Sequence, residues 1–195
     1  DCTGALTVCN NQAITGSPVV GFGTQDLNAS NRGCLNGNEI RGVWVRFTAQ
    51  SAGTIAFTLT VAAGTDYDFA VWGPYSGAPT CPPAGAPLRC SWSGATGNTG
   101  LNYTSADLTE GAGGDKWVRW IDALAGQSFM LYVDNWSNNG VTFTLNWNLV
   151  PTNILDCTLP LELITFEAVP KPRQVDLNWV TGSEENTAYF QVERA

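Results

Sequence analysis

Between residues 54 and 61 every second position is apolar: Ile55, Phe57, Leu59 and Val61 alternate with Thr54, Ala56, Thr58 and Thr60. A period of two sends successive side chains to opposite faces, so the stretch reads as a β-strand with one face buried. Ala62, Ala63 and Gly64 then turn the chain into Asp66-Tyr67-Asp68-Phe69, the start of a second strand, and residues 54–75 read as a central hairpin. The same alternation recurs in 40–49, with Val43, Val45 and Phe47 on one side and Trp44, Arg46 and Thr48 on the other. Residues 116–123 set Trp117, Arg119 and Ile121 against Val118, Trp120 and Asp122, and 127–136 set Phe129, Leu131 and Val133 against Met130, Tyr132 and Asp134. In 141–149, Val141, Phe143, Leu145, Trp147 and Leu149 alternate with Thr142, Thr144, Asn146 and Asn148. The Asn-Gly step in Ser137-Asn138-Asn139-Gly140 predicts that the last two strands form a hairpin. No segment longer than a turn has helical periodicity. Residues 1–150 are therefore expected to form an all-β domain, a jelly roll or β-sandwich.

The punctuation between these runs divides the chain. Residues 1–38 are rich in Asn, Gly, Ser and Thr and predict loops and short edge strands, while 74–101 gather prolines and glycines into a long loop. Residues 151–160 read as a linker. Beyond it, 161–169, 174–180 and 188–194 are strand-like, the first two joined by Pro170-Lys171-Pro172-Arg173. They suggest the opening of an immunoglobulin-like sandwich over 161–195, with Trp179 where such folds often bury an aromatic residue. That fold needs about seven strands, so these three cannot close their own sandwich: either the chain is truncated within it or the strands are completed by something else.

Chemistry enters with the cysteines. Cys2, Cys9, Cys34, Cys81, Cys90 and Cys157 have no CxxC spacing and no histidine beside them, which favours disulfides in an oxidising compartment over zinc. The short gap from Cys81 to Cys90 predicts one local bridge, and the other pairings stay open. The abrupt opening at Asp1-Cys2 reads as a processed N-terminus, and no long apolar run predicts membrane insertion. A net charge of −8 argues against nucleic acid or an anionic membrane as partner.

The absence of histidine removes Ser-His-Asp and Cys-His nucleophile systems. Asp66 and Asp68 come from one strand with no marked opposing acid, so a two-carboxylate glycosidase is not favoured, and no enzymatic activity is expected. Alternation places those two carboxylates on one face, where they repel each other unless a cation or water intervenes; capping of a loop is the competing role. Asp66, Asp68, Glu110, Asp115 and Asp134, with carbonyls of the run 111–114, form a candidate calcium set. Among the eight tryptophans, Trp44, Trp72, Trp92, Trp120 and Trp136 are candidates for stacking on glycans or for contacts between subunits, against burial in the core.

Taken together, DCTGALTVCN, LNASNRGCLNG, TDYDFAVWGPY, PLRCSWSGATGNTGLN, EGAGGDKWVRWI and LYVDNWS resemble a secreted module of Bacteroidota surface proteins related to pre-peptidase C-terminal and jelly-roll domains. The stretch from LPLELITFEA to ENTAYFQVERA resembles the sandwich that follows such modules ahead of a type IX secretion sorting signal. The resemblance implies export by the type IX system, an extracellular or cell-surface location and adhesive or gliding-associated roles. The expectation is a non-catalytic structural or adhesive protein, with copies joined head to tail into a homopolymeric filament through the C-terminal strands. A carbohydrate-binding module of a larger exported protein and a rigid spacer are the alternatives.

Overall fold

The computed structural model describes residues 1–8, 13–16, 24–37, 39, 41–156, 163–172 and 174–181. The chain divides into two compact units, Asp1–Cys157 and Thr158–Ala195. The first is an all-β sandwich. One sheet contains β1 (Leu6–Thr7), β3 (Gly42–Thr48), β5 (Asp68–Ser76), β6 (Arg89–Ser91), β8 (Thr109–Glu110) and β11 (Gln127–Asp134), in the order β1-β3-β11-β5-β6-β8. The other contains β2 (Ile14–Gly16), β4 (Gly53–Val61), β7 (Thr99–Asn102), β9 (Trp117–Arg119), β10 (Ile121–Ala123) and β12 (Phe143–Val150), in the order β2-β12-β4-β7-β9 with β10 also on β4.

The alternation read from sequence builds the space between the sheets. Leu131 stands opposite both Val45 and Val71, and Leu145 opposite Leu59. All five are at most 1% exposed and belong to one core. Aromatic rings fill its middle: Phe47 stacks on Phe129 at 5.2 Å, and Phe57 meets Phe69 edge-on at 5.3 Å. The second sheet turns hydroxyls and amides outward, where Asn146 donates to the Thr60 hydroxyl at 3.0 Å.

Both predicted hairpins are arches. β4 and β12 lie in one sheet while β5 and β11 lie in the other, so 62–67 and 135–142 each carry the chain across the sandwich. Turn-forming residues license a reversal, but loops longer than two residues leave the partner free to be chosen by the inner faces. The single strand predicted over 116–123 breaks at Trp120 into β9, parallel to β7, and β10, antiparallel to β4. Buried Arg89 holds the break, its guanidinium donating to the Arg119 and Trp120 carbonyls at 2.7 Å each.

The outer face of the first sheet differs from expectation. Trp44, Ala70, Trp72, Met130 and Tyr132 form a second core with Cys2, Leu27, Leu35 and Cys90, so the N-terminal segment is a layer over the sheet. Trp72 donates through its indole to the Asn31 carbonyl at 3.0 Å, and Trp44 to Glu39 at 2.6 Å. Two disulfides, Cys2–Cys81 and Cys34–Cys90, pin the layer across 79 and 56 residues of chain. The predicted Cys81–Cys90 bridge is therefore replaced: both cysteines reach back to the N-terminal layer instead of to each other. Cys9 and Cys157 lie outside the described residues. The expected linker at 151–160 also begins inside the sandwich, because Ile154 and Leu155 are buried and Leu155 bridges to Ala49.

In the second unit the described residues form one hairpin of β13 (Leu163–Lys171) and β14 (Gln174–Thr181). The third strand expected over 188–194 lies outside the described residues. Register puts Phe166 opposite Trp179, Ala168 opposite Leu177 and Pro170 opposite Val175, so one face is wholly apolar. Glu167 pairs with Asn178 and Val169 with Asp176 on the other face, where Lys171 and Asp176 form an ion pair.

Candidate functional site

The two arches lie side by side at one end of the sandwich and are tied to each other. The Asp66 amide donates to the Ser137 hydroxyl at 2.8 Å, and the Asn139 side chain donates to the Thr65 hydroxyl at 3.1 Å. The Tyr67 hydroxyl donates to the Val141 carbonyl. At the base of the arches three carboxylates gather. Asp68, the first residue of β5, is directly opposite Asp134, the last residue of β11, and Asp66 stands two residues before Asp68. Because Phe69 and Val71 face the main core, Asp68 shares the outer face with Ala70 and Trp72.

These acids are deeply placed, with Asp66, Asp68 and Asp134 at 7%, 1% and 8% exposure. Asp66 Oδ1 and Asp68 Oδ1 have no hydrogen-bond partner. Burial pushes the Asp68 carboxyl up to about 8, and the charges of Asp66 and Asp134 add to the rise. Burial also lifts Asp134 to about 6, opposed by hydrogen bonds from the Arg41 backbone and the Tyr132 hydroxyl and by the Arg41 charge, while Glu39 pushes the same way as burial. Asp66 is raised by burial and held back by Lys116. An ionised carboxylate in such a place costs several kcal/mol unless something positive or hydrogen-bonding meets it.

The five residues grouped as a calcium set fall into two groups. Glu110 sits with Asp107 and Asp115, whose charges add to a carboxyl already raised by desolvation. Asp115 is occupied as a cap, accepting the Trp117 amide at 2.9 Å. Among the described residues, the one trio of metal-type ligand atoms within 4.8 Å of one another is Cys2, Asp26 and Cys81. Its sulfurs are bonded to each other and Asp26 accepts the Cys2 amide at 2.6 Å, so it is a structural knot.

The tryptophans also separate. Trp44 and Trp72 are buried under the N-terminal layer at 3% and 1% exposure and present no stacking surface. Trp92 is half-buried. Trp120 is partly covered, with the Arg119 guanidinium 4.6 Å above its ring and its indole donating to Asp122 at 3.0 Å. Trp136 is exposed and lines a recess of about 150 Å³ with Arg41, Asp134 and Asn135. Arg41 was missed from sequence because it has no periodic or motif signal; Asn135 opens the sequon Asn135-Trp136-Ser137, which points to glycosylation and not to a recess, and adjacency to Asp134 was the other hint.

The fold thus defines an all-β sandwich, stapled by disulfides, with a buried carboxylate cluster under paired arches. Compared with known proteins, the chain matches no protein-family model, no curated protein and no solved structure. Among the described residues no helix is long and apolar enough to cross a membrane.

Proposed function

We propose that this chain is a non-catalytic structural or adhesive module of an exported bacterial surface protein, in which the stapled sandwich is a rigid body and the β13–β14 hairpin joins one copy to the next. Export through the type IX system and an extracellular location follow from the sequence resemblance, and the two disulfides fit an oxidising compartment. One observation carries the joining role. On the hairpin's apolar face Phe166 is 53% and Val175 56% exposed. A lone two-stranded hairpin is marginal in water, and such a face is stabilised by strands packed against it. A second copy supplies them in this reading, and a contact that does not close on itself makes a filament.

The test is the molar mass of the 195-residue chain by light scattering across concentration, for the wild type and Phe166→Asp. Growth in the wild type and a monomer in the variant, at equal melting temperature of the sandwich, is the expected result. A wild-type monomer at every concentration overturns it and assigns the face to strands of the same polypeptide.

The carbohydrate-binding reading is favoured by the recess beside Trp136. An exposed indole flanked by Arg41, Asp134 and Asn135 offers a stacking platform with hydrogen-bonding groups at its edge. Binding on a glycan screen that is lost in Trp136→Ala supports this reading, and equal binding by both proteins rejects it.

A further inference from the structure

The geometry points to a divalent-cation site of the calcium type at the base of the two arches, built from Asp66, Asp68 and Asp134, that ties the 62–67 arch to the strand ends from which both arches spring. It does not depend on whether copies of the chain join. Acidic groups are common on the surface of a protein this negative, and exposed ones need no ion. This group differs in its burial and in its orphaned atoms. Asp68 is 1% exposed, Asp68 Oδ1 and Asp66 Oδ1 have no hydrogen-bond partner, and Asp68 stands opposite Asp134 in the sheet register.

The charged groups around the cluster do not neutralise it. Arg41 acts on Asp134, and Lys116 acts on Asp66 while its ammonium donates to the Thr96 carbonyl at 2.7 Å. Glu39 adds a further negative charge beside Asp134. For Asp68 the charges that register are those of the other two acids.

Ligand chemistry selects the ion. Carboxylate oxygens, in a chain that has no histidine, are hard donors, which suit calcium or magnesium over zinc or copper. Calcium takes about 6–8 oxygens at roughly 2.3–2.6 Å and tolerates irregular geometry and bridging water. The three carboxylates do not converge within the 4.8 Å that spans one ion, so at least one of them reaches it through water. Flexible coordination of that kind favours calcium over octahedral magnesium. The Glu110 group makes the internal contrast: Glu110 Oε2 is also unpartnered, but Asp107 and Asp115 beside it are exposed and Asp115 is already a cap.

The experiment is thermal unfolding of the full chain after chelation, titrated with calcium chloride and, at matched ionic strength, with magnesium or sodium chloride. Asp68→Asn and Glu110→Gln are run beside the wild type. A ligand that binds only the folded state raises its melting temperature, by roughly 5–10 °C when free ion stands about 100-fold above its Kd. The wild type and Glu110→Gln should show this rise with calcium and a much smaller one with sodium. Asp68→Asn should melt higher than the wild type without ion, because a group whose carboxylate is disfavoured by burial is gone, and should ignore calcium. A wild type indifferent to calcium overturns the site and leaves Asp68 as a buried neutral acid. A calcium response that persists in Asp68→Asn also overturns it, by placing the ion elsewhere. If Asp68→Asn does not fold, calorimetric titration of the chelated wild type with calcium decides: one ion per chain supports the site and none removes it.

Discussion

Two apolar sheet faces in this molecule began with the same sequence signal and met different ends. The outer face of the first sheet carries Trp44, Trp72, Met130 and Tyr132, and the N-terminal segment covers it completely. One face of the β13–β14 hairpin carries Phe166, Trp179, Leu177 and Val175, and its large side chains stand open. The covered face is closed by a segment with almost no periodicity, pinned by Cys2–Cys81 and Cys34–Cys90 and seated by Asn31, which donates to the Asp26 and Pro83 carbonyls at 2.9 Å each. Alternation thus specifies a strand and its two faces. What lies on each face is decided by chain that the alternation does not describe.

The contrast breaks first at its tryptophans. Trp72→Ala should lower the stability of the sandwich by about 3–5 kcal/mol, because a fully buried indole leaves a cavity and strands the Asn31 carbonyl. Trp179→Ala should change the same transition by less than about 0.5 kcal/mol. Denaturant melts of both variants check this, and equal losses would mean that the hairpin face is covered in solution.

A smaller effect follows from the staples. Replacing Cys34 and Cys90 together by serine removes one bridge and should cost roughly 2–4 kcal/mol. The layer should loosen at that edge and admit water to Trp44 and Trp72, which are 5.5 Å apart. A red shift in tryptophan emission under native conditions is the readout. An unshifted spectrum would show that packing holds the layer without the bridge.

A further effect concerns pH. Asp68 ends the covered face, and its carboxyl rises from an ordinary 3.8 to about 8 in the folded chain. The folded state then holds the proton more tightly than the unfolded state. Stability is full below about pH 4 and declines as pH climbs toward 8, where the buried group ionises. In chelator the melting temperature should fall between pH 5 and pH 8 for the wild type and less for Asp68→Asn.

Much of the candidate site was legible. Asp66 and Asp68 stand out by spacing, since a strand period would put them on one face, although β5 begins only at Asp68 and Asp66 lies in the arch before it. Asp134 was named with them, but grouping it with Glu110 and Asp115 was a guess from composition. The pairing of Asp134 with Asp68 depends on β11 lying between β3 and β5, a relation across 66 residues that no local pattern encodes. Arg89 shows the opposite limit: a lone basic residue in a proline- and glycine-rich stretch carries no periodic signal, yet it is buried against three backbone carbonyls.

By itself, the sequence determined the class of fold, because a two-residue period of apolar side chains is enforced locally by the geometry of extended backbone. It also determined which positions of β3, β4, β11 and β12 face inward in the sandwich, though not those of 116–123, where Val118 and Ile121 both enter the core across the break. The tertiary structure alone decided that consecutive strands cross between sheets, that Cys81 and Cys90 part to different partners, that Trp44 and Trp72 lie under a lid and that three carboxylates meet beneath two arches. Those outcomes rest on contacts between residues far apart in the chain. Their free energy comes from burial shared by both sides, so neither side's sequence carries the answer alone.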